Sequence, residues 1–563
     1  MSFLGAQNSI ALGVQGLIHI DTGGGAGGSA DYLLAKSLRF RSSASAYLNR
    51  TFGTPTNNLK WTWSAWVKRG KLGSAGVMFQ GYASLATRTA IQFNSSDQLV
   101  FNGTVATATT TAVFRDPAAW YHIVCVYDSA NATAANRLLL YVNGTVQTVT
   151  GTQPTASQVE FINGAWLHYI STGYSGAFEY LDESLAEVNF VDGQALAPTA
   201  FGAYSTYNQW LPIAYAGTYG TNGFYLPFTN TASTSTLVAD SSGNANNWTP
   251  NNISLTAGST YDSLTDVPTL TSETVANYAV LNPLQIGGVT TSPTPITLSN
   301  GNLYWYYNRT TSGSGWLQAT IAIPSTGKWY YEYVSDSGSP VAYSEPGIMD
   351  IATPKSQATP SQYRAYYGYD GTKISNGVYS AYGAAAVLND ILSVAIDMDN
   401  GALYFGKNGT WLNSGVPTSG ASKTGAAFTD LISAGVTWVP MMGIMGNSVA
   451  TGYVNFGQQP FTYTAPSGFL PLNTFNIPAG TVTTSGTFTG NLSTDGPFVF
   501  LNGTPTAMTI NGNAVTFGTH ADKLANGFKV RSSSVLYNLI GSNTYVATTV
   551  GAVFKYEDAQ SNP

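Results

Sequence analysis

A single cysteine, Cys125, stands in 563 residues, so no disulfide can form within the chain and a small secreted fold stapled by bridges is excluded. Charge is almost as scarce. Asp, Glu, Lys and Arg together make 9% of the chain, against an ordinary share of about 25%. Solubility must then rest on Ser, Thr, Asn, Gly and Tyr, an uncharged polar surface that suits proteins facing varied ionic conditions outside a cell. The formal net charge is -6 and no block of Lys or Arg occurs, so nothing offers the basic footprint that nucleic acid requires. Apolar runs of about 18 residues are absent, so no helix is expected to cross a membrane. The N-terminal "MSFLGAQNSIALGVQGLIHIDTGGG" has no basic n-region, and the expectation is synthesis in the cytosol without export by the usual route. Triplets of the Asn-x-Ser/Thr kind, at Asn94, Asn131, Asn143 and Asn308, are read as chance products of this composition.

Helical periodicity is also nearly missing. What replaces it is a succession of short apolar alternations punctuated by turn residues. From Leu38 to Phe228 these are "LRFRSSASAYLNRTF", "WTWSAWVKRG", "GVMFQGYAS", "TAIQFNSSDQLVFNG", "WYHIVCVYD" and "NRLLLYVNGTVQTV", with turns at Asn102-Gly103 and Asn143-Gly144. That pattern predicts an antiparallel sandwich. "DMDNGALYFGKNGTW", Asp397 to Trp411, admits two readings. As an EF-hand loop it fails at Gly401, Ala402 and Asn408, the fifth, sixth and twelfth positions. As a hairpin it succeeds, because Asn400-Gly401 and Asn408-Gly409 tolerate the positive φ of type I′ turns.

Composition divides the chain. Residues 1–34 are a mildly apolar arm ending in the glycine joint "TGGGAGGSA", read as an attachment segment. Residues 35–228 form the first sandwich. Residues 229–275, rich in Asn, Ser, Thr, Asp and Gly, are read as an irregular connector anchored by Trp248. A second sandwich occupies 276–478. Residues 479–563, with turns at Asn502-Gly503 and Asn511-Gly512, read as a small C-terminal β-domain.

The first series of strands, followed by "YLDESLAEVNFVDGQALAPTAFG" at 180–202, resembles the laminin-G-like members of the concanavalin A-like lectin and glucanase superfamily, in the form common in bacteriophage structural proteins. The segments "GKWYYEYV", "YYGYDGTKISNG", "DILSVAIDMDNGALYFGKNGTW", "WVPMMGIMG" and "VNFGQQPFTYTAPSGFLPLN" stand in the order of a SPRY domain. The resemblance implies an all-β chain of tandem antiparallel β-sandwiches, a jelly-roll laminin-G-like one and then a SPRY-like one. It also implies recognition by loops at a rim, of glycans in the first family and of peptides or proteins in the second. The small C-terminal domain is similar to extensions on phage proteins that carry both.

Catalytic constellations are few. The four histidines, His19, His122, His168 and His520, show no metal-ligand spacing, and His122 lies in a core-type strand. No nucleophile elbow and no phosphate-binding loop occurs. For glycoside hydrolysis the nearest candidate is "EYLDESLAEV", with Glu179, Asp182, Glu183 and Glu187, where Glu183 and Glu187 share a strand face but no acid lies between them at the second position. No enzyme activity, cofactor or metal is expected. Aromatics in loop-like contexts are the binding candidates instead: Tyr204, Tyr207 and Trp210 in "FGAYSTYNQW", and Tyr363, Tyr366, Tyr367 and Tyr369 in "QYRAYYGYDG".

The expectation is a bacteriophage virion protein made in the host cytoplasm and carried on the tail or capsid exterior. As a tail fibre or receptor-binding component it would join other virion proteins through the N-terminal arm and meet a host-surface glycan or protein through its sandwiches. Fibres of that kind imply a homotrimer. A capsid-attached head fibre or decoration protein is the alternative, and a glycan-degrading tailspike is a third reading.

Overall fold

The computed structural model describes residues 32–478 except 85, 174–175, 177, 206–208, 289–295, 309–313, 339–343, 358 and 446–448, and beyond 478 the backbone of several strands. These residues divide into two compact units, one holding both sandwiches and the other residues 204–210 with the strands after Pro478.

The first sandwich faces two eight-stranded sheets against each other. In one, the order runs Thr145–Val146, Leu138–Val142, Trp120–Asp128, Lys60–Lys68, Ser184–Asp192, Ser37–Arg39, Ser263–Leu264, with Phe224–Leu226 also paired to Ser184–Asp192. In the other it runs Val149–Thr152, Thr107–Thr110, Leu99–Asn102, Thr87–Phe93, Gly76–Ser84, Leu167–Ile170, Tyr47–Thr51, Thr249–Asn251. All pairings between neighbours are antiparallel. Alternation decides what faces inward. Trp61, Trp63, Ala65 and Val67 of one sheet meet Phe79, Ile91, Phe93 and Phe101 of the other in a core that also takes in Cys125, whose thiol burial pushes well above its ordinary pKa.

The segment expected to be a connector is built into this sandwich. Thr249–Asn251 adds an edge strand beside Tyr47–Thr51, Ser263–Leu264 pairs with Ser37–Arg39, and Leu237, Val238 and Trp248 enter the core. A boundary at residue 228 therefore cuts through one hydrophobic cluster. The polar composition that suggested a linker is absorbed by turns, including the capping box of Ser233 and Thr236 on the four-residue helix Thr234–Leu237.

The second sandwich pairs a seven-stranded with an eight-stranded sheet. The first is ordered Leu281–Gly287, Ser314–Ala319, Trp438–Met445, Ser344–Asp350, Tyr363–Tyr367, Thr372–Ser375, Val378–Ala381. The other is ordered Ile296–Ser299, Tyr304–Asn308, Val449–Asn455, Lys328–Gly338, Ile391–Asp397, Ala402–Lys407, Thr410–Trp411, with Leu470–Pro471 parallel to Lys328–Gly338.

The stretch from Asp397 to Trp411 is a pair of hairpins, with one correction. Asn408 (φ 49°) and Gly409 (φ 79°) make the expected two-residue turn, whereas the first turn spans four residues, Met398 to Gly401, and only Gly401 (φ 72°) is left-handed. Asp397 explains the wider turn: its carboxylate accepts from the backbone N–H of Asn400 at 3.0 Å and its Nδ2 at 2.9 Å, and lies 3.6 Å from Lys328 Nζ. Asp399 accepts from the Gly327 N–H at 2.7 Å. Asn143-Gly144 likewise takes positive φ at both residues, but Asn102-Gly103 opens a longer loop closed by the Gly103 N–H on Ala106 O.

After Pro478 the described backbone pairs Ala521–Leu524 with Gly527–Val530 and Asn543–Thr548 with Val553–Asp558, both antiparallel. The arm lies outside the described residues as far as residue 31.

Candidate functional site

The two outer faces of the first sandwich differ. On the strand Lys60–Lys68 the outward residues are Thr62, Ser64, Trp66 and Lys68, and they are covered: Thr62 Oγ1 donates to Gln194 O at 2.9 Å and accepts from the Leu196 N–H, while Trp66 stacks on buried His122. His122, held at 2.8 Å from Ser64 Oγ, has its pKa lowered to about 3 by burial, so it stays neutral as a core residue.

The opposite sheet turns other chemistry outward. Because Phe79, Ile91 and Phe93 point into the core, Gln80, Tyr82, Arg88, Ala90 and Gln92 point away from it. Leu48 and Ile170 do the same for Tyr47, Asn49 and Tyr169. Register brings these into rows: Asn49, Tyr169, Gln80 and Ala90 lie side by side across four strands, and Tyr82 lies beside Arg88. The rings of Tyr47 and Tyr169 are 5.9 Å apart, and Tyr82 meets Tyr169 edge-on at 6.3 Å. Tyr180 closes the group from the adjoining loop, 6.4 Å from Tyr47. Arg88 Nη1 lies 3.4 Å from Glu179 Oε2, both groups partly exposed. Beneath these rings Gln80 has neither amide atom paired, and Gln92 Oε1 is also without a partner. A buried amide is ordinarily hydrogen-bonded, so this face holds unused donor and acceptor capacity beside aromatic planes.

Of the acids considered for hydrolysis, Glu179 lies on this face with Arg88, and the other three are engaged elsewhere. Asp182, its pKa raised to about 6 by burial, accepts from the Ser42 N–H at 3.2 Å and the Asn300 N–H at 2.8 Å. Glu183 accepts from Arg69 Nε at 2.7 Å. Glu187 takes φ 55° at a bulge between Ala186 and Asn189, so the expectation that it shares a strand face with Glu183 does not hold. Its carboxyl accepts from Tyr32 Oη at 2.7 Å and Tyr225 Oη at 2.9 Å, and burial pushes it up to about 7. Among the described residues no group of three or more His, Cys, Asp or Glu is placed to hold a metal ion.

The aromatic residues singled out from sequence scatter. Tyr204 is 51% exposed and meets Trp210, itself buried, edge-on at 4.8 Å. Tyr207 lies outside the described residues. Tyr363, Tyr366 and Tyr367 are buried on one strand, Tyr366 packed on Phe405 with its hydroxyl on Ala384 O. Tyr369 is 50% exposed, its ring 5.9 Å from that of Tyr367. Sequence reasoning missed Tyr47, Gln80, Tyr82, Arg88, Gln92 and Tyr169. The alternation in "GVMFQGYAS" and "TRTAIQF" carried the signal: it puts an amide, a tyrosine or an arginine opposite each core residue.

Among solved structures the chain is similar to the SPRY domain of human HERC1, at 16% identity over 31% of this chain and 96% of that one, TM-score 0.24. It is similar to a putative carbohydrate binding protein from Bacteroides ovatus, at 16% identity over 39% and 58% of the two chains, TM-score 0.27. A SAP-like pentraxin from Limulus polyphemus matches at 14% identity over 30% and 80%, TM-score 0.23. By sequence, residues 42–200, the greater part of the first sandwich, match the model of the concanavalin A-like lectin/glucanases superfamily.

Proposed function

We propose that this protein is a recognition component of a bacteriophage particle, a tail fibre or other receptor-binding part, and that the outer face carrying Gln80 binds a host-surface glycan without cleaving it. The observation that carries the reading is the cluster of Tyr47, Tyr82 and Tyr169 with the partly exposed Arg88–Glu179 pair on one outer face, on which Gln80 lies beside Tyr169. Sugars present flat apolar faces and rings of hydroxyls that both donate and accept, which is the complement of tyrosine planes beside amides and a charged pair. The lectin/glucanases match of residues 42–200 and the 9% charge content support the same reading. Residues 1–34 are the anchor to the particle in this proposal, and a homotrimer multiplies weak contacts into firm attachment.

The test is binding of the full chain to polysaccharide from the host envelope, with adsorption of the phage measured in competition. Tyr82→Ala and Arg88→Ala each weaken binding about tenfold or more while the folded state persists, since both side chains lie on the outer face. Unchanged competition by both variants overturns this face as the site.

A further inference from the structure

Every buried acid among the described residues has a partner, with one exception. Asp262 meets Arg39 and Arg41, Asp266 meets Lys68, Glu183 meets Arg69, and Glu332 accepts from the N–H groups of Thr462 and Tyr463. Glu345, on the strand Ser344–Asp350 of the second sandwich, is 5% exposed, and its Oε1 is buried without a hydrogen bond or ion pair. Space for it is made by Gly443 on the neighbouring strand: a Cβ there would stand 2.9 Å from Glu345 Oε2. One oxygen of the carboxyl is thus buried without a hydrogen bond, a cost to the empty protein that an occupant would offset.

The surroundings identify that occupant by its chemistry. Register pairs Gly347 with Ala365 and Met349 with Tyr363, which places Glu345 level with Tyr367 on the same face. The next strands continue the row from Ala365 through Ile374 to Tyr379. Gly347 and Ala365 leave the floor of that row low, between Glu345 and Tyr367 on one side and Tyr363 on the other. The Tyr367 ring stands 5.5 Å from Tyr379 at 71° and 5.9 Å from Tyr369 at 45°, two walls at an angle to each other. Tyr369 and Tyr379 are exposed and Tyr363 and Tyr367 buried, so the aromatic surface runs from solvent toward the acid.

We propose that Glu345 with Tyr363, Tyr367, Tyr369 and Tyr379 is a receptor for an organic ammonium group. Ring faces attract a cation that carries its own apolar shell, and the carboxylate at the inner end neutralises it. The site is distinct from the glycan face of the first sandwich and does not depend on it. Burial alone pushes the Glu345 carboxyl up to about 8, and no Lys, Arg or His acts on it. The other ionisable groups that feel its charge are Tyr333, Tyr363 and Tyr379, whose pKa values are raised first by their own burial. At pH 7 the empty site therefore holds a proton that an arriving cation displaces to the buffer.

The experiment is calorimetric titration of the full chain with choline, with ethanolamine and with 3,3-dimethylbutanol, the uncharged shape analogue of choline. At least one ammonium binds saturably below ~10 mM, about tenfold or more tighter than the alcohol, and releases up to one proton at pH 7. Glu345→Gln removes the charge at constant shape and lowers that affinity about tenfold, and Tyr379→Ala, which shortens an exposed ring, lowers it several-fold. Choline and ethanolamine separate a quaternary from a primary ammonium. The proposal is overturned if neither ammonium binds, if the alcohol binds as tightly, or if Glu345→Gln binds unchanged. Should that variant fail to fold, an unchanged affinity in Tyr379→Ala overturns it instead.

Discussion

Glu187 shows how much a single residue can depend on its setting. Its positive φ turns the carboxyl toward Tyr32 and Tyr225 rather than along the strand, and burial raises its pKa from 4.5 to about 7. The folded protein keeps a proton that the unfolded chain releases near pH 4.5, so the contribution of this group is fully present below that pH and is lost as pH rises through about 7. Thermal unfolding between pH 5 and 8 checks this. The parent loses stability with rising pH by on the order of 2 to 3 kcal/mol more than Glu187→Gln, which carries no titrating group there. Residue roles were unevenly legible. His122 reads as a core histidine from its apolar neighbours alone, and so it is. Tyr363 and Tyr366 read as binding candidates because "QYRAYYGYDG" looks like a loop, but pairing on both sides makes Tyr363–Tyr367 a strand, and burial follows.

At the scale of elements, turn chemistry and alternation were the reliable signals. "GVMFQGYAS" and "WYHIVCVYD" are strands to the residue, Gly76–Ser84 and Trp120–Asp128. The Asn408-Gly409 hairpin illustrates why: two left-handed residues are costly for any side chain but Gly or Asn, so the sequence announces the geometry. Gly409→Ala is expected to lower stability by about 1 to 3 kcal/mol, through its φ of 79° and through a Cβ that would lie 2.7 Å from the Tyr463 ring. Denaturant unfolding measures it, with Asn408→Gly, which keeps the turn, changing stability by a few tenths of a kcal/mol. The four-residue turn at Met398 to Gly401 and the bulge at Glu187 were not legible. Each depends on a partner distant in sequence: Lys328 and Gly327 for the one, Tyr32 and Tyr225 for the other.

Across the whole molecule, the two sandwiches are joined by buried polar groups rather than by a free linker. Lys68 Nζ donates to Asp266 at 2.7 Å, to Asn277 Oδ1 at 2.8 Å and to Tyr278 O at 2.7 Å, tying a core strand of the first sandwich to the entry of the second. Arg39 Nη1 donates to Asn300 O, Thr265 N–H donates to Gln458 O, and Asn300 N–H donates to Asp182. Two such bodies unfold together. Asp266→Ala, which strands the Lys68 ammonium in the interior, costs about 3 to 5 kcal/mol. Hydrogen exchange then speeds in both Lys60–Lys68 and Lys328–Gly338, whereas independently folding sandwiches would show the change in one alone.

The sequence by itself determined the all-β class, two tandem sandwiches, most strand positions and the tight turns, because period-two alternation and Asn-Gly pairs act over a few residues. Only the tertiary structure decided which polar side chains gather on one face, how residues 229–275 are woven into the first sandwich, and that Glu345 is buried without a partner. Those outcomes depend on register between strands tens to hundreds of residues apart. No local pattern encodes that register, and it is set where a common core fixes which strands can pair.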